Sequence, residues 1–101
     1  MLAEFSIFPI GEGESLSKYV ARSLKLIDES GLKYRINPMG TVVEGEWDEV
    51  MELIKSCHHA ILEDTQRVTC SIKIDDRKGK TNALDMKIKS VEEKVGRRLN
   101  K

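Results

Sequence analysis

Hydrophobic and polar residues alternate from position 2 to position 10, with Ala3, Phe5 and Ile7 on one side and Glu4 and Ser6 on the other. That period of two predicts a strand, ended by Pro9 and Gly11. The period then lengthens. Leu16, Val20, Leu24 and Ile27 recur at helical spacing, so a first helix is expected, capped by Ser15 or Ser17 and closed at Gly31. Residues 33–37 and 41–46 read as two short strands around a turn at 38–40, in which Pro38 presets the backbone and Gly40 is expected to take a positive φ. Residues 47–64 form a second helical pattern, with the stripe Trp47, Val50, Met51, Ile54, Cys57 and Ile61, and with Asp48 and Glu49 placed to meet the positive end of the helix dipole. Alternation returns at 67–75, where Val68, Cys70, Ile72 and Ile74 oppose Arg67, Thr69, Ser71 and Lys73. A polar loop through Asp76, Arg77, Gly79 and Asn82 leads to a third helix striped by Leu84, Ile88, Val91, Val95 and Leu99.

The resulting order is βαββαβ followed by one more helix. It predicts an α+β fold of the ferredoxin-like type: a four-stranded antiparallel sheet with two helices on one face, and a single domain over residues 1–101. The second face of that sheet would carry Glu4, Ser6, Thr69, Ser71 and Lys73, with Arg35 or Asn37 and Glu44 joining them according to register. Leu2 and Phe8 fall on the same polar side, and the extra helix has an apolar stripe that four strands and two helices do not need. Both features favour self-association to a homodimer or homotetramer, since buried apolar surface is worth about 25 cal/mol per Å².

Composition narrows the function classes. The chain has 101 residues, with 17 Lys and Arg balanced by 17 Asp and Glu, so no global field draws it to nucleic acid or anionic membranes. An RNA-binding version of this fold would place aromatics on the middle strands of the sheet face, whereas the fourth strand here offers Thr69, Ser71 and Lys73. The apolar runs are short and Glu4 and Ser6 interrupt the N-terminal one, so neither a signal peptide nor a membrane span is expected. Cys57 and Cys70 lack CxxC spacing and read as reduced, buried thiols in a cytoplasmic protein.

Residues 37–51, NPMGTVVEGEWDEVM, concentrate a tight turn, a strand with a carboxylate and a helix start. Glu44 lies among Val42, Val43 and Gly45 and requires solvent or a partner, because an unpaired buried charge is costly. An intersubunit ion pair with Arg35 or Arg77 is one alternative to ligand contact. Gly45 leaves room for close approach by backbone or ligand. An enzyme would need a nucleophile beside a base, but Cys57 and His58 are adjacent on a helix and point about 100° apart. His59 and Glu63 share a helical face at i, i+4, yet two ligands make half a metal site, so no metal ligands are assigned.

The run Pro9-Ile10-Gly11, Ser15-Leu16-Ser17 with Tyr19-Val20, Gly40-Thr41 with Glu44-Gly45 and Trp47-Asp48, Val50-Met51, Arg67-Val68-Thr69 and Asp76-Arg77 closely resembles the small thiamine-binding protein family, of the YkoF-like group of ferredoxin-like folds. The resemblance covers nearly the whole chain. It implies a non-enzymatic protein that assembles into dimers or tetramers by sheet packing and binds thiamine or its hydroxymethylpyrimidine moiety, as a carrier, buffer or sensor and without a catalytic cofactor. A different small ligand in a structural or regulatory interaction domain is the alternative. Such a ligand needs a carboxylate, neutral polar groups and flat apolar surface. The expected contacts are Glu44 to the exocyclic amine or thiazolium, Ser6, Ser17, Asn37 and Thr41 as hydrogen-bonding groups, and Arg77 to a phosphate. Ser17 could equally be a helix cap and Thr41 a turn residue. Phe5, Phe8, Tyr19, Tyr34 and Trp47 are the aromatics available for stacking, and the sequence does not choose among them.

Overall fold

In the computed structural model, which describes residues 1–11, 17–79 and 83–96, the alternating segments become four strands: β1 (Leu2–Pro9), β2 (Lys33–Asn37), β3 (Gly40–Glu44) and β4 (Val68–Asp75). The helical segments are α1 (Ser17–Glu29), α2 (Trp47–Leu62) and α3 (Ala83–Val95). The sheet order is β2-β3-β1-β4, and all three pairings are antiparallel. This is the expected ferredoxin-like α+β arrangement with its C-terminal helix.

Register sorts the side chains into two layers. Ala3 pairs with Val43 and Ile74, and Phe5 with Thr41 and Ile72, so the buried residues of β1 share a face with buried Val43 and Thr41 on one side and with Ile74 and Ile72, which stay exposed on the edge strand, on the other. The buried strand residues and the apolar faces of α1 and α2 build the core: Ala3, Phe5, Ile7, Tyr19, Ile27, Val43, Val50, Leu53, Ile54, Cys57 and Ile61 are all buried. Two entries in the expected stripes change. Tyr19, not Val20, faces inward from α1, at 2% exposure against 45%. Trp47 is 53% exposed, whereas Leu53, absent from the expected stripe, is buried, so the inward face of α2 is turned away from Trp47. Leu16 and Leu99, placed in stripes from sequence, lie outside the described residues, as does Ser15.

Local chemistry fixes the element ends. Gly31 has φ +77° just beyond α1, a conformation costly for any residue with a β-carbon. The Glu46 amide at the start of α2 donates to the Glu49 carboxylate at 3.1 Å, half of a capping box. Arg22 joins the two helices by donating to the Ala60 carbonyl at 2.9 Å and pairing with Asp64 at 2.8 Å. Gly45 admits side chains: a β-carbon there would meet Leu32 at 3.1 Å and Val50 at 3.3 Å.

Register also settles the opposite face. Both Arg35 and Asn37 share it with Glu44, because Lys33, Arg35 and Asn37 pair with Glu44, Val42 and Gly40. Part of this face is covered by the chain itself. Asp85 in the first turn of α3 accepts from Lys33 and lies 3.5 Å from Arg35, while Leu84 beside it is buried. The hydrogen bond from Lys33 holds the Asp85 carboxyl below its ordinary range. Beyond that turn, Met86, Val91 and Val95 remain exposed.

Two predictions follow from this packing. A carboxyl with a lowered pKa stabilises the fold above the ordinary carboxylate range and ceases to do so as the pH falls through its native value. Asp85→Asn at neutral pH, or acidification of the native protein, is therefore expected to speed amide hydrogen exchange in α3 while β1 and β4 stay protected; equal exchange in α3 would show that the ion pairs do not dock it. The second concerns Cys57, whose thiol is raised by burial from 9.0 to about 11. Its neutral form stabilises the fold fully below pH 9, and that contribution is lost as the pH rises to about 11, amounting to about 2 to 3 kcal/mol. Denaturant titrations at both pH values should show this loss in the native protein and a smaller one in Cys57→Ala.

Candidate ligand-binding site

Among the described residues, a cavity suited to a small ligand opens where β3 stops and β1 runs on. β1 pairs with β3 only through Phe5, whereas it pairs with β4 as far as Pro9. Ser6, Ile7 and Phe8 therefore have no ladder partner on the β3 side among the described residues. The space beside them is closed by α1, through Val20, Ser23, Leu24 and Ile27, and by the hairpin turn of Pro38 and Met39 between Asn37 and Gly40. It encloses about 410 Å³, within the range of pockets that hold small organic molecules.

Gly40 makes the turn fit, though not by the positive φ expected of it. Left-handed glycines occur at Gly11, Gly31, Gly79 and Gly96, and Gly40 is not among them. A β-carbon on Gly40 would instead lie 3.0 Å from the Phe5 carbonyl oxygen, so the requirement is closeness to β1.

The walls are apolar, with Phe5, Ile7, Phe8, Val20, Leu24, Ile27, Ile36 and Met39 interrupted by Ser6, Ser23, Asn37 and Thr41. Among the described residues, no charged side chain lines this space. The structure thus brings together three residues singled out from sequence: Ser6, Asn37 and Thr41. Ser6 also borders a depression of about 110 Å³ on the opposite face of the sheet, with Glu4, Ser71 and Lys73. Ser17 opens α1 as its first residue and does not line the cavity. Glu44 stands at the far end of β3, opposite Leu2 and Lys33, and Arg77 follows the end of β4 that pairs with Leu2. These two therefore lie toward the other end of the sheet.

Phe5 and Phe8 contribute to the cavity wall. Tyr19 is in the core with the Lys18 ammonium 4.8 Å from its ring centre, and the Tyr34 hydroxyl donates to Asp28 at 2.9 Å. Ser23 escaped the sequence reading, although it sits three residues after Val20 in the α1 stripe, where a polar residue interrupts an apolar run.

A second depression of about 370 Å³ lies between the end of α1 and the start of α2, bordered by Glu29, Glu49 and Glu52. Three of its polar side chains are engaged internally: the Glu49 carboxylate caps α2, Ser56 donates to the Glu52 backbone carbonyl, and Ser30 donates to the Ile27 carbonyl. Among the described residues no cluster of three or more His, Cys, Asp or Glu is arranged to hold a metal ion, and no helix is long and apolar enough to cross a membrane.

Fold and cavity define a ferredoxin-like α+β protein with a largely apolar pocket at one end of its sheet, lined by no charged side chain among the described residues. The chain belongs to the thiamine-binding protein family, whose sequence model matches residues 3–92. The UPF0045 protein MJ1052 of Methanocaldococcus jannaschii is 43% identical over 93 residues, covering 92% of this chain and 93% of its own. Its crystal structure superimposes with a TM-score of 0.84, covering 91% of this chain and 95% of that one. The UPF0045 protein YqgV of Bacillus subtilis is 38% identical over 96 residues, covering 89% of this chain and 92% of its own. The crystal structure of TM0486 from Thermotoga maritima, provisionally assigned to thiamine biosynthesis or salvage, matches at 26% identity with a TM-score of 0.73, covering 94% of each chain.

Proposed function

We propose that this protein binds thiamine or its hydroxymethylpyrimidine moiety without turning it over, as a carrier, buffer or sensor, with the pyrimidine ring in the cavity beside Ser6, Asn37 and Thr41. The observation that carries this reading is an apolar pocket whose described lining is interrupted only by a few uncharged polar groups, in a member of the thiamine-binding family. An aminopyrimidine is flat, neutral and able to donate and accept hydrogen bonds, which such a lining can answer. A thiazolium cation or a phosphate would be costly inside it, since neither would find an opposite charge among the described lining residues. On this reading the charged parts of the ligand remain at the mouth. Glu44 and Arg77 do not line this cavity and would serve a ligand only through a site at the opposite end of the sheet or one completed by another subunit.

Self-association belongs to the same proposal. Phe8, Ile72 and Ile74 are exposed on the sheet, as are Met86, Val91 and Val95 on α3, a distribution suited to a homodimer or homotetramer. The two free cysteines suit a reducing, cytoplasmic setting. The exposed apolar groups also favour a second reading, a regulatory interaction domain with a different small ligand.

Titration calorimetry with thiamine, thiamine phosphate and hydroxymethylpyrimidine, with oligomer size by light scattering on the same sample, tests the proposal. Saturable binding is expected, with hydroxymethylpyrimidine retained and the affinity for thiamine little changed by salt. Asn37→Ala should weaken binding by about 1 kcal/mol, whereas Glu44→Gln should leave it unchanged. A larger loss in the Glu44 variant would move the site to the other end of the sheet, and no binding of any compound would favour the interaction-domain reading.

A further inference from the structure

Three hydroxyls on or just beyond the helices of this protein share a habit that Ser23 does not. Ser30 donates to Ile27 O at 2.6 Å, Ser56 to Glu52 O at 3.0 Å, and Thr65 to Ile61 O at 3.0 Å, each returning its proton to a carbonyl three or four residues earlier. Ser23, in the middle of α1, is shielded from water yet has no hydrogen-bond partner for its Oγ among the described residues. Leaving a buried hydroxyl unpaired is unfavourable, and an alanine would fill the position with better helix propensity. Its surroundings offer a reason for a hydroxyl there. Ser23 lines the cavity between Val20, Leu24 and Ile27 on the same helix, facing the β1 segment that runs past β3. Its main chain is held in place from the other side, where the Cys57 thiol donates to the Ser23 carbonyl at 3.8 Å.

We infer that Ser23 is the polar anchor of this cavity, its hydroxyl donating to a ring nitrogen of an uncharged heteroaromatic ligand. This rests on the reading of the cavity as the pyrimidine site and adds to it the group that recognises the ring. No hydrogen bond restrains the Ser23 side chain, so it is free to turn toward a ligand pressed against α1. The partner must be an acceptor without full charge, because the remainder of that wall is Val20, Leu24 and Ile27, which cannot balance an ion. A ring nitrogen of an aminopyrimidine meets both conditions, and a carbocyclic ring of the same shape does not. Ser23 would therefore govern which flat ring the cavity accepts, by leaving its own hydroxyl unpaired when the ring cannot answer it.

The test compares the full-length protein with Ser23→Ala, using hydroxymethylpyrimidine and its carbocyclic analogue, in which both ring nitrogens are replaced by CH. Calorimetry should show an approximately tenfold loss of affinity for the pyrimidine in the variant, little change for the analogue, and so a collapse of the discrimination between them. Thermal unfolding of the ligand-free variant should occur at the same or a higher temperature, since an unpaired hydroxyl has been removed. Unchanged pyrimidine affinity in Ser23→Ala would overturn the anchor while leaving the cavity reading intact. Equal losses for both compounds with a lowered Tm would overturn it in favour of a packing role. Failure of the native protein to bind either compound would overturn the cavity reading and the anchor with it.

Discussion

Gly40 comes so near the backbone of β1 that a β-carbon on it would stand 3.0 Å from the Phe5 carbonyl oxygen. That approach sets where the hairpin meets the central strand, and therefore where β3 begins. Since β1 continues to Pro9 while its pairing with β3 starts only at Phe5, a length of central strand is left uncovered on one side. Backbone polar groups along an uncovered strand must be met by water or by another molecule. α1 lies over this stretch and turns it into the wall of a cavity rather than an open edge. A bulkier residue at 40 would push the hairpin away and alter the register contact and the cavity together.

The two faces of the sheet solve different problems. On the helix side, Arg22 ties α1 to the end of α2 through Ala60 and Asp64, and Cys57 ties the middle of α2 to Ser23, so the helix that carries part of the cavity wall is braced along its length. On the opposite side, α3 is held mainly at its first turn, where Leu84 is buried and Asp85 meets Lys33 and Arg35. These ion pairs are largely exposed and individually weak, so burial of Leu84 must supply much of the docking. The outer part of α3 leaves Val91 and Val95 to solvent. A ligand bound in the cavity would contact the braced side of the molecule, away from the exposed outer part of α3.

Charge is distributed in a way that favours this division. A neutral chain overall still places Lys33, Arg35, Glu44, Lys73 and Glu4 on one face of the sheet by the alternation of its strands. The cavity, by contrast, is bounded by uncharged side chains among the described residues. A carboxylate was the natural residue to seek for a cationic ligand, and Glu44 has the right chemistry. Its strand position nevertheless carries it away from the cavity, since the hairpin contact lies at the other end of β3.

Strand and helix identities were legible because each depends on residues near one another in sequence: the alternation in 67–75 and the spacing of Val50, Ile54, Cys57 and Ile61 report which side is buried whatever lies above it. The order of those elements then leaves few ways to connect them, which is why the ferredoxin-like topology could be read in advance. Family resemblance added the ligand class, which periodicity alone could not supply. The roles of Tyr19, Trp47 and Gly40 depended on tertiary structure, because inward and exposed positions at the edge of a stripe are separated by a fraction of a helical turn, and close approach to Phe5 involves a residue 35 positions away. Ser6, Asn37 and Thr41 could be picked as polar groups near turns, yet their convergence, the separation of Glu44 and Arg77, and the isolation of the Ser23 hydroxyl follow from strand register and from the helix laid across the end of β3. Sequence determines which residues are able to make a contact; only the packed chain decides which of them meet.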